Sequence, residues 1–141
     1  RMKRQFFTRV SGRHVAANPV ARAIARAKLA SMLRDIKIYL YLADDGDKSE
    51  QTMETISGIG TVLAVIGHAA ESDPNIDPDD PRVKVLRGGL SACQQCLDAG
   101  KWSSQNTVAV ESALDAAESL NKDLKPDYIN RSWHKLVGAR L

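Results

Sequence analysis

Cys93 and Cys96, separated by two residues, form the sharpest local pattern in this chain. Thiols at this spacing serve zinc sites and redox centres. A structural zinc needs four ligands, and the other soft donors, His14, His68 and His134, sit at no partnering spacing such as His-x-x-x-His. A redox pair wants its thiols at a helix N-terminus, where the dipole lowers a thiol pKa. Here both fall inside an amphipathic run, with Cys93 on its apolar stripe. The pattern reads as a buried Cys93 and a partly exposed Cys96 with packing roles. No metal and no cofactor are expected.

Asp73, Asn75, Asp77, Asp79 and Asp80 alternate oxygen donors in the manner of a calcium loop. The pattern lacks the glycine of the sharp turn and the closing glutamate, and Pro74 and Pro78 stiffen it. It reads as an acidic turn that holds helix N-termini. Gly58, Gly60, Gly88 and Gly89 lack the lysine and the strand-to-helix context of a phosphate loop, so they read as helix-packing positions. Glu54, His68 and Glu71 fall on one apolar helix, but nothing marks a nucleophile beside them. No catalytic residue is assigned, and the chain reads as non-enzymatic.

Charge carries the strongest functional lead. Residues 1–37 hold ten basic side chains and one acidic, a net +9; residues 38–80 hold one basic and ten acidic, a net −9. The modest overall +3 hides this polarity. Lys3, Arg4, Arg9 and Arg13 form a basic arm interleaved with Phe6 and Phe7, and Arg22 with Arg26 extends the patch along one helix face. Lysine and arginine neutralise phosphates and release counterions, while aromatic rings stack on unpaired bases. The expected partner is a polyanion, with nucleic acid the best fit. No helix-turn-helix pattern points to sequence-specific reading. A small protein-interaction adaptor or inhibitor, docking on a larger assembly through the opposed basic and acidic segments, is the alternative. An Arg-rich, acid-free start also fits an organelle transit peptide, although a cytoplasmic location is the primary expectation. Met2 is expected to be the natural start.

These residues need elements to hold them. At 141 residues the chain is long enough for one domain with a real core. Aromatics are only 5%, so the core must come from Ala, Leu, Val and Ile. Residues 1–17 form the arm and residues 18–141 a single helical domain. Asn18 before Pro19 predicts a helix over 19–42, with Leu29, Leu33, Ile36 and Leu40 as its stripe. A second helix starts near Asp47 or Ser49 and reaches about Glu71. Its faces are Ile56, Ile59, Leu63, Ile66 and Ala70; the small Ser57, Gly60, Ala64 and Gly67; and Val62, Val65 and Ala69. Apolar nearly all round, it is expected at the centre rather than across a membrane. Asp80-Pro81 opens a third helix that Gly100 stops. A fourth follows a Ser103-Ser104 cap to about Leu124. A short fifth, 127–137, carries Tyr128, Ile129, Trp133 and Leu136. The expected fold is an all-α bundle of four to five helices.

Overall fold

A computed structural model describes residues 19–137, with side chains from residue 30 onward. It contains helices α1 (Pro19–Leu42), α2 (Glu50–Ser72), α3 (Pro81–Ala99), α4 (Thr107–Asp123) and α5 (Pro126–Val137). A 3-10 turn at Ser104–Asn106 precedes α4. No strand occurs among the described residues, and the fold is the all-α bundle that the patterning implies.

α2 lies at the centre, packed against α3, α4 and α5. Ile56, Ile59, Leu63, Ile66 and Ala70 are buried, and so are Val62, Val65 and Ala69. The helix is long and apolar enough to cross a membrane by length and composition, but its apolar residues are used as the bundle's core. Each fully buried Leu or Ile side chain contributes roughly 1.5–3 kcal/mol, so this one helix anchors much of the fold. Its small-residue stripe faces α3. A Cβ added at Gly60 would lie 3.7 Å from Leu90, and one added at Gly67 would lie 3.8 Å from Leu86.

Neighbouring helices run antiparallel. Gly67 faces Leu86 while Gly60 faces Cys93 across α2 and α3. Arg82 at the start of α3 reaches Asp123 at the end of α4, and Gly89 meets Ala113 midway. α1 packs on α4, where Arg34 pairs with Glu118 and Lys37 with Asp115. The topology is therefore the up-down alternation that short connections favour.

The helix starts are set by carboxylates and hydroxyls. Ser49 caps α2 by accepting from the Thr52 N–H at 3.2 Å. Asp47 accepts from the Ser49 N–H at 2.8 Å and from the Thr52 hydroxyl at 2.9 Å. Asp80 caps α3 through the Arg82 N–H, with Pro81 in the first turn. Gly100, at φ 72°, closes α3 in the left-handed conformation that glycine adopts without strain. Expectation and structure differ at α4. Neither Ser103 nor Asn106 makes a side-chain cap. Asp45, far away in sequence, instead accepts from the Ser104 N–H at 2.8 Å. The first acidic turn thus stabilises two helix starts, its neighbour's and a remote one.

Candidate functional site

The basic surface predicted from sequence is only partly within the described residues. Lys3, Arg4, Phe6, Phe7, Arg9 and Arg13 lie outside them. Arg22 and Arg26 belong to the first turns of α1, where only the backbone is described. What the structure supplies is the register of α1 on α4. Arg34 opposite Glu118 and Lys37 opposite Asp115 bring Leu29 level with Asp123, the last residue of α4. A helix rises 1.5 Å per residue, so residues 19–28 carry α1 about 15 Å past that end. Over the overlap α1 buries Leu33 and Leu40. By sequence spacing Arg22 and Arg26 occupy the same line of positions along α1, before the level at which α4 ends.

Two further cations of α1, Lys37 and Arg34, lie beside carboxylates of α4, Arg34 still 59% exposed. Lys37 donates to Asp115 and also lies 3.8 Å from Glu118. The hydrogen bond to Asp115 raises the Lys37 pKa and outweighs partial burial. Arg34 sits 3.8 Å from the same Glu118. Positive charge in α1 is thus carried by Lys37 and Arg34 beside α4 and by positions on the backbone extension beyond it.

The acidic segment is largely structural. Asp45, Asp47 and Asp80 are each held below the ordinary aspartate range, Asp45 and Asp47 by backbone N–H donors and Asp80 by the Arg82 guanidinium. Asp73 is buried and accepts from the Asn75 N–H at 2.9 Å and the Lys125 N–H at 3.2 Å. Asp77 accepts from the Asp79 N–H at 2.8 Å. Of the residues that suggested a calcium loop, Asp73, Asp77 and Asp80 aim oxygens at backbone N–H groups of their own turn, of the α4–α5 junction and of the start of α3. Among the described residues, no three His, Cys, Asp or Glu side chains gather in a metal-holding group.

The thiols are free and sealed. Cys93 is buried as expected, and burial pushes its pKa up to about 12. Cys96 departs from expectation: it is buried too, only 1% exposed. The turn before α4 folds over it, and the Asn106 side-chain amide donates to its sulfur at 3.2 Å. Neither thiol is placed to act as a thiolate nucleophile, which needs an electropositive and accessible setting.

An open groove of about 270 Å³ runs between α2 and α3, with Leu63, Ala64, Gly67, Leu86 and Leu90 among its lining. Its polar lining residues are engaged. His68 shares a 2.8 Å hydrogen bond with Ser132 of α5, and Glu71 pairs with Arg87 at 2.6 Å. Ser132 is 1% exposed, so its hydroxyl ties α2 to α5 with no open side for a substrate. Glu71 thus reaches toward α3 and His68 toward α5 from the same groove.

Sequence reasoning missed one surface. Ile38, Tyr41 and Leu42 of α1 are 60%, 74% and 72% exposed. The second apolar line of α1 was the available signal, since these three fall off its core stripe at helical spacing. No known protein family, curated protein or solved structure matches the chain.

Proposed function

We propose that this chain is a non-enzymatic binding module that engages a polyanion, with nucleic acid the partner its chemistry fits best. Lys3, Arg4, Arg9, Arg13, Arg22 and Arg26 contact phosphates, and Phe6 and Phe7 stack on unpaired bases. The supporting observation is the partition of charge along α1. Where α1 overlaps α4, Lys37 and Arg34 meet Asp115 and Glu118. Beyond the end of α4 the sequence of α1 carries Arg26 and Arg22, and the basic arm precedes them. A cationic extension past the end of α4 suits an external polyanion, whose affinity comes largely from counterion release.

A salt titration of binding to single- and double-stranded DNA and RNA tests this. Six phosphate contacts predict that log K falls against log salt with a slope of about −5 on duplex and about −4 on single strands. A chain starting at Asn18 keeps only Arg22 and Arg26, so its duplex slope drops to about −2. Preference for single strands over duplex locates Phe6 and Phe7 in the contact. Affinity that is flat from low to high salt, or unchanged without the arm, overturns the proposal.

A further inference from the structure

We propose that the outward face of α1 is a two-fold interface on which a second copy of this chain docks, its α1 antiparallel to the first. Ser31, Arg34, Asp35, Ile38, Tyr41 and Leu42 are all exposed and recur at steps of three and one, which places them on one side of the helix. The opposite side of α1 buries Leu33 and Leu40. Three large apolar residues on a single exposed helix face form a patch that burial against a partner would stabilise.

The pattern of this face identifies the partner as another copy. Arg34 and Asp35 are adjacent, of opposite charge and exposed. Around a two-fold axis passing between them, two antiparallel helices bring each Arg34 opposite the partner's Asp35, giving two attractive pairs. The same register sets Ser31 opposite the partner's Ile38 and Ala27 opposite the partner's Leu42. Lys28 then falls opposite the partner's Tyr41. At Ile38 a large apolar residue meets a small serine, which lets the two helices approach closely there. A parallel arrangement of identical helices would instead set Arg34 near Arg34 and Asp35 near Asp35. The inference does not depend on polyanion binding. At about 100° per residue, Arg22 lies about 160° and Arg26 about 120° around the helix from Ile38, so the interface leaves both clear.

Sedimentation equilibrium of the full chain, free of nucleic acid and carried to submillimolar concentration, tests the proposal. One helix face per copy makes a small interface, so a reversible monomer–dimer equilibrium is expected. Ile38→Glu should shift it toward monomer while circular dichroism keeps its helical signal. Arg34→Asp and Asp35→Arg should each weaken association by about tenfold or more, because each sets like charges opposite one another. Mixed in equal amounts, these two variants should associate again, since one copy then offers two aspartates and the other two arginines. That rescue cannot come from folding. A chain that stays monomeric throughout, a dimer indifferent to Ile38→Glu, or a mixture no better than either variant alone overturns the interface.

Discussion

Gly88 and Gly89 are neighbours in α3, yet alanine should act in opposite directions at the two. Gly88 is exposed, and an added Cβ would meet nothing within 4 Å. Its backbone is helical, so Gly88→Ala removes only the entropic cost of glycine and should stabilise by about 0.5–1 kcal/mol. Gly89 is the crossing point of α3 and α4. A Cβ there would fall far inside contact distance of the Ala113 Cβ, and within 3.3 Å of both the Ala109 carbonyl oxygen and Leu63. Two of those three obstacles belong to α4 rather than to a flexible side-chain end, so relief requires the helices to part. Overpacking of this kind costs about 1–3 kcal/mol, and more where backbone must move. With backbone in the way the cost lies at the upper end of that range, about 3 kcal/mol, and helix propensity returns at most about 1 kcal/mol, which leaves Gly89→Ala destabilised by about 2 kcal/mol. The gap between adjacent glycines is then about 2–3 kcal/mol, several degrees in Tm for a chain of this size. Urea unfolding followed by circular dichroism reads it directly. Adding Ala113→Gly to Gly89→Ala should recover part of the loss, giving a favourable coupling between two positions in contact. Equal stabilisation by both alanines would refute the close α3–α4 approach.

Two further predictions concern the ionisable groups. Cys93, with its pKa pushed up to about 12 by burial, and the covered Cys96 should both resist an aromatic disulfide reagent at neutral pH in the folded protein and react promptly in denaturant. Fast labelling of the native chain would show that the turn over Cys96 opens readily. Asp45, Asp47 and Asp80 are held below the ordinary value of 3.8, so the unfolded chain binds those protons more readily than the folded one. Their stabilisation is complete above that value and is lost as pH falls through the lower folded pKa values. The urea midpoint should therefore hold steady from neutral pH to about 5 and drop on further acidification, less steeply in Asp80→Asn. A midpoint that rises on acidification below that point would contradict the capping roles.

The bundle was legible because its signals are local and repeated. Asp80-Pro81 and Gly100 bound α3 within the sequence itself, and the all-round apolar surface of α2 announced its central place. The turn before α4 was misread because its cap comes from Asp45, a partner that only the tertiary fold brings near. Cys96 was misread for a similar reason: one helical wheel gives one buried stripe, whereas Asn106 covers a second line of α3 from outside that helix. Composition announced an acidic segment but not its use, since a carboxylate aimed at a backbone N–H is spelled the same as one aimed at solvent.

This distinction shapes the functional reading. A block of ten acidic residues and a block of ten basic ones suggest, as letters, two faces that attract each other. In the fold, Asp45, Asp47, Asp73, Asp77 and Asp80 of the acidic block accept from backbone N–H groups, while Asp44, Glu50, Glu54 and Asp79 are exposed. The basic block divides differently: Arg34 and Lys37 meet α4, and the rest precedes the point where α1 leaves it. A capping carboxylate must stay where its N–H donors are, so it cannot rearrange toward another basic partner without unmaking a helix start. The five carboxylates that accept from backbone N–H groups are therefore committed to turn geometry, which is why the proposed polyanion contact is assigned to the basic residues.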